Sequence, residues 1–394
     1  MLEHWIWLAT RQGLNKRKQY ELLRRFGDPE AIYQSAEETL PASLNDKSLA
    51  EANEILNRCR QQQIHLLTVA DERYPKGLLG IYDPPVLLYY RGELPDWEAK
   101  PIIGAVGTRS CSEYGIRSAQ RLGNQLIRCG GRVVSGMAEG IDTAVLNGVL
   151  SAKGAPVVFL AGGVDVIYPA ENRDLYNEIL MQGGCILSEQ PPGVKPAKWL
   201  FPTRNRLISG ISHGVLVVEA PEKSGALITA RHAMEQGRPV YTVPGPIDAA
   251  SCAGSNALLK DGARFAQSGW DILEPYQESF EGLQDRTRED TAVLKNPVDF
   301  PLCRKKTAQF HPKEKKVIDN AGKQPYSDAY KKPAARSAQE QAILDQLLSG
   351  PKLTDAVING CGLSKGEALA VMTMLEIQGV LRRLPGNLIA LNET

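Results

Sequence analysis

Between Ser188 and Gly210 the chain reads SEQPPGVKPAKWLFPTRNRLISG, with Lys195, Lys198, Arg204 and Arg206 set among Trp199 and Phe201. Cations follow a phosphate backbone while rings stack on unpaired bases, which is what a single nucleic-acid strand needs. A stacked base contributes about 1–3 kcal/mol, so one such ring can matter. The same residues also have a plainer use, with both rings in a core and an arginine in an internal ion pair. At least one of Arg204 and Arg206 is expected to be consumed that way.

Other glycine-rich stretches open helices. GTRSCSEYG, from Gly107 to Gly115, outlines an anion pocket: amides and a helix dipole face the end of a strand. Arg109 would add a forked cation, and Ser110 and Ser112 hydroxyl donors. An ordinary tight turn is the alternative there. VSGMAEGIDT supplies Gly136, with Asp142 expected to cap or orient the next helix. In LAGGVDVIYP, Gly162 and Gly163 permit close backbone approach, and Asp165 and Tyr168 read as turn residues. VEAPEKSGALITAR places Ser224 and Gly225 at another helix start with Glu219 behind it, where that carboxylate would orient an arginine.

Several function classes lose support. The chain has neither GxGxxG nor GxxxxGK[ST], which argues against a dinucleotide dehydrogenase and a Walker-type NTPase. Its five histidines lie outside these loops, so no catalytic residue is assigned. The seven cysteines form no CxxC pair, and neither metal nor cofactor is expected.

These loops need a scaffold. IIGAV, RVVSG, PVVFL, CILSE, GVLVVEA and PVYTV alternate with helical stretches, the pattern of an α/β, doubly wound, Rossmann-like parallel sheet. LLTVADERYPKGLLGIYDPPVLLYYRGEL adds an extended run, expected at an edge of that sheet. Residues 1–64 read as a helical module, SAM/helix-hairpin-helix-like, followed by the Rossmann-like domain over 65–274. In RQGLNKRKQYELLRRFG, Asn15 stands where a helix-hairpin-helix has its second glycine; phosphate contact and helical packing both remain open there. Residues 275–336 are polar and aperiodic, a disordered linker in expectation. Residues 337–394 read as a winged helix with a hairpin at Pro385, Gly386 and Asn387. The net charge of +1 over 394 residues says nothing about nucleic acid, because any basic surface must be local. With no secretory core segment and no run of about 18 apolar residues, a cytoplasmic protein that does not engage the membrane is expected.

In their order, GTRSCSEYG, SGMAEGID, AGGVDVIYP, LSEQPPG, FPTRNRLISGIS, VVEAPEKSGALITA and VYTVPGPI resemble the DNA-processing protein A (DprA/Smf) family. The resemblance covers about residues 1–274 and the terminal winged helix. It implies a non-enzymatic single-stranded DNA-binding protein that loads the RecA recombinase in natural transformation and recombination, as a homodimer through the Rossmann-like domain. Carried over by position, Arg109, Lys198, Phe201, Arg204 and Asn205 would line the DNA pocket, joined by Ser110. Gly136, Ser224 and Gly225 would give backbone approach. The chain departs from the pattern at Glu139, commonly an arginine, and in TAVLN, commonly TAAH. The competing readings are a nucleotide-processing enzyme of the phosphoribohydrolase type, whose PGGxGTxxE motif is missing, and a transcription factor acting through the winged helix alone.

Overall fold

The computed structural model describes residues 2–36, 40–287, 338–348, 350, 352–377, 380–384 and 388–392. They fall into two compact units, 1–307 and 308–394.

At the amino end, helical spacing of Trp5, Leu8, Leu22 and Leu23 yields α1 (Leu2–Thr10) and α2 (Lys16–Phe26), followed by α3 (Pro29–Gln34) and α4 (Ala50–Gln61). Asn15 is the N-cap of α2 and accepts from the Lys18 amide at 2.8 Å, so the residue replacing a glycine satisfies the helix end itself. Lys16 turns inward, its Nζ donating to the Ala9 carbonyl at 3.1 Å. The helices bury Trp5, Ile6, Trp7 and Leu8 against Val86, Leu87 and Tyr89, so the module belongs to the first unit.

The strands β1 (His65–Thr68) and β2 (Leu87–Gly92) follow, and then β3 (Ile102–Val106), α5 (Glu113–Arg128), β4 (Arg132–Ser135), α6 (Ile141–Ser151) and β5 (Val157–Phe159). Next come α7 (Arg173–Met181), β6 (Cys185–Ser188), α8 (Leu200–Ile211), β7 (Gly214–Val217), α9 (Gly225–Glu235), β8 (Val240–Thr242), α10 (Ala253–Lys260), β9 (Arg264–Phe265) and α11 (Gly269–Leu273). All six expected strands form one sheet, in the order β1-β2-β6-β5-β4-β3-β7-β8-β9. Neighbours from β6 to β9 are parallel, and β2 joins β6 antiparallel. Both faces are covered, so β3 is buried throughout: Ile103 and Ala105 enter the layer under α5 and α6, Ile102 and Val106 the layer under α8 and α9.

The extended stretch stands at the edge of the parallel sheet as expected: β2 adds to β6, and β1, from the same stretch, pairs outside it with His65 opposite Tyr90. The topological switch lies between β3 and β7: α8 carries the chain from the β6 side across to the far side of β3, so the crevice opens at that boundary.

The expected linker starts later than position 275. Leu283 is buried, and the Gln284 amide donates to the Cys129 carbonyl at 3.3 Å, so the chain still packs on the end of α5 there. The rest of that segment, 288–336, lies outside the described residues. The second unit has α12 (Ala338–Leu347), β10 (Lys352–Leu353), α13 (Thr354–Gly360), α14 (Lys365–Ile377), β11 (Leu381–Leu384) and β12 (Leu388–Leu391). It closes on Ile343, Leu347, Val357, Met372 and Ile389, with β11 and β12 antiparallel as a wing requires. The Pro385–Asn387 turn lies outside the described residues. Among the described residues, no helix is long and apolar enough to cross a membrane.

Candidate nucleic-acid interface

A crevice of about 290 Å³ opens where β3 and β7 end, walled by the loop after β3, the start of α8 and the start of α9. Arg109, Ser110, Phe201, Arg204, Asn205, Ser224 and Gly225 all border it, as do Asp142 and Lys223. Three cations against one carboxylate give it a positive field.

Its central contact is the Arg109 guanidinium over the Phe201 ring, 4.5 Å from the centroid. Arg109 is exposed and Phe201 half-buried, so a flat cation and a ring edge a solvent-open slot. Tyr168 extends the group, its ring 5.7 Å from that of Phe201 and tilted 59°. Tyr168 reads in the sequence as a turn residue; the signal for more is an aromatic in a glycine-rich strand-end loop. Lys223, which directly precedes the Ser224 cap, carries no motif of its own in the sequence.

The arginines of α8 have different work. Arg204 is 6% exposed and donates from Nη1 to the carbonyls of Gly136, at 2.8 Å, and Phe159. Its Nε donates to Asn205 Oδ1 at 3.2 Å, and Asn205 Nδ2 reaches the Gly225 carbonyl at 3.3 Å. Burial pushes this guanidinium down to about 10, opposed by Asp142. It stays charged at neutral pH and ties the ends of β4 and β5 to α8. Burial pushes the Asp142 carboxyl up, against the pull of Arg204 and of the Ala138 and Gly136 amides. Asp142 does not cap α6, whose N-cap is Gly140; Oδ2 accepts from the Gly136 amide at 3.1 Å and so braces the loop. Gly136 is forced by this arrangement, since a Cβ there would lie 2.4 Å from the Arg204 guanidinium. The close approach made by Gly136 is therefore to a side chain of the same chain.

Arg206 turns away from the crevice, pairing with Asp83 at 3.0 Å and Glu189 at 2.7 Å. Both arginines are thus buried, where at least one was expected to be. Lys195, Lys198 and Trp199 are exposed on the approach to α8, Trp199 at 68%, and none of them borders the crevice.

The loop after β3 is not the open amide nest its glycines suggested. Glu219, 0% exposed, accepts through Oε2 from the Ser112 amide at 3.0 Å and its hydroxyl at 3.1 Å. Ser112 Oγ accepts from the Gly115 amide at 3.0 Å, and the Thr108 amide donates to the Glu219 carbonyl at 2.7 Å. A carboxylate of the protein thus sits at the start of α5, where an anion would otherwise bind. Glu219 orients this loop, not an arginine. Gly115 lets it approach, a Cβ there lying 1.8 Å from Oε2. The exposed cations that border the crevice are the side chains of Arg109 and Lys223. On the opposite wall Ser224 caps α9, accepting from the Ala226 amide at 3.3 Å.

The family described as DNA recombination-mediator protein A matches residues 65–277, and a DprA winged helix domain matches residues 327–387. Protein Smf of Synechocystis sp. is 32% identical over 400 residues, 98% of each chain. The crystal structure of DNA processing protein A from Streptococcus pneumoniae superposes with a TM-score of 0.61 at 33% identity, over 70% of this chain and 98% of that one. DNA processing protein A from Helicobacter pylori, whose structure is described as revealing its unique single-stranded DNA binding mode, gives a TM-score of 0.50 at 28% identity, over 55% and 97%.

Proposed function

The chain belongs to the DNA recombination-mediator protein A (DprA/Smf) family, and from that premise we propose that it binds single-stranded DNA in the β3–β7 crevice. The observation that carries this reading is the Arg109–Phe201 pair at 4.5 Å, a cation and a ring on one solvent-open wall. Phosphates would meet Arg109 and Lys223, with the Ser110 and Ser224 hydroxyls beside them. One base would stack at Phe201. Gly225, exposed at the start of α9, leaves room for the strand. Buried Arg204 and half-buried Asn205 hold the wall in shape, Arg204 by gripping the Gly136 carbonyl and Asn205 by reaching that of Gly225. Lys195, Lys198 and Trp199 would meet the strand outside the crevice, where exposed amines and an exposed indole suit phosphates and unpaired bases.

The wider role is a non-enzymatic one: presentation of single strands to the RecA recombinase in natural transformation and recombination, by a cytoplasmic homodimer joined through the sheet-bearing unit. Glu219 supports this over a phosphoribohydrolase, because its Oε2 is held by Ser112 and the residue does not border the crevice. Fluorescence anisotropy with oligo-dT and with duplex of equal length is the test, and oligo-dT is expected to bind more tightly by tenfold or more. Equal affinities, or turnover of nucleoside monophosphates by the chain, would contradict it. Sedimentation checks the dimer, and RecA-dependent ATP hydrolysis on protein-coated dT checks the loading.

A further inference from the structure

At the opposite end of the sheet a second cavity of about 300 Å³ lies among the amino ends of β3, β7 and β8. Lys76, Trp97, Glu98, Ser212, His213 and Arg238 wall it. Arg238 donates to the Gly210 carbonyl at 3.4 Å through Nη2, while its Nε is buried without a hydrogen-bond partner. Among the described residues, neither Arg238 nor Lys76 forms an ion pair with a carboxylate. A forked guanidinium and an ammonium lining one cavity match an oxyanion of tetrahedral shape.

His213 lines the same cavity. Its Nδ1 accepts from the Ile102 amide at 3.0 Å, which leaves the proton on Nε2. Burial, then the neighbouring Arg238, holds this imidazole below its ordinary value, and Glu98 pulls weakly the other way. Ser212 Oγ is committed to the Ile208 carbonyl at 2.6 Å, and the Trp97 indole to the Arg73 carbonyl at 2.7 Å. The open donors are therefore Arg238, Lys76 and His213, against one exposed carboxylate, Glu98, at the rim.

We propose that this cavity is a second phosphate-binding site, separate from the β3–β7 crevice. The phosphate comes either free or from a DNA strand long enough to run past the crevice, and two titrations separate these sources. The first adds inorganic phosphate to the full chain carrying Arg109→Ala, so that the crevice contributes little, and compares Lys76→Gln and Arg238→Gln in that background by calorimetry. The second compares the same two substitutions, with Arg109 intact, on dT of about 6 and about 20 nucleotides, either side of typical site sizes. Phosphate binding weakened at least tenfold by both substitutions, with both oligomers unaffected, identifies a free phosphate. Weaker binding of the longer oligomer alone, with its salt slope reduced by about 0.7, identifies a DNA phosphate. Lys76 is exposed, so Lys76→Gln keeps the test valid if Arg238→Gln fails to fold. If neither phosphate nor the longer oligomer responds to Lys76→Gln, the proposal fails; the short oligomer reports the crevice independently.

Discussion

At the scale of single residues, exposure divides the cations into two roles. Arg109 and Lys223 are free to meet phosphate, whereas Arg204 and Arg206 are spent inside the protein. Phe201→Ala is expected to weaken oligo-dT binding by about 5- to 150-fold, the equivalent of 1–3 kcal/mol, measured by anisotropy. Arg204→Ala should act first on the fold: Asp142 stays buried without its cation, at a cost of about 3 kcal/mol or more, read as a shift in denaturant midpoint. His213 makes stability depend on pH. Its value in the folded chain is lowered, so its contribution is complete above the ordinary value of 6.5 and is lost as pH falls below it. Protonation would also remove the Nδ1 acceptor from the Ile102 amide. The melting temperature should therefore drop between neutral and mildly acidic pH, and His213→Gln should flatten that drop. The residue types were legible in the sequence; which arginine faced inward was not, because Asp83, Glu189 and Phe159 reach them only through the fold.

At the scale of elements, the four glycine-rich loops were placed by their motifs, but their chemistry was not. The Glu219–Ser112 contact spans 107 positions, so nothing local reveals that a carboxylate occupies the start of α5. Gly115→Ala would push a methyl into Glu219 Oε2, and it is expected to lower both thermal stability and dT affinity, whereas an alanine at an exposed helix position would change neither. The crevice is built wholly from residues of the first unit. A chain ending at 307 should keep its dT affinity within about twofold, a change of roughly 0.4 kcal/mol, by the same titration.

At the scale of the molecule, the six β-branched runs announced the sheet, and alternation with helices announced that it is parallel. The position of the switch between β3 and β7 was hidden because it depends on which side of β3 each crossover lands. β1, four residues with a mixed burial pattern, gave too short a signal to be read. A fragment beginning at Pro101 would strip β2 from β6 and expose a sheet edge, so it should aggregate during size-exclusion chromatography where the chain from residue 1 does not. The claim that holds these scales together is that one strand of DNA lies in the β3–β7 crevice against Arg109 and Phe201. Its most direct test is the salt dependence of oligo-dT affinity for the full chain, Arg109→Ala and Phe201→Ala. The slope of log K against log salt should fall by about 0.7 at Arg109→Ala and stay unchanged at Phe201→Ala, while both lose affinity. Two variants that bind oligo-dT as the unmodified chain does, at every salt concentration, would contradict it.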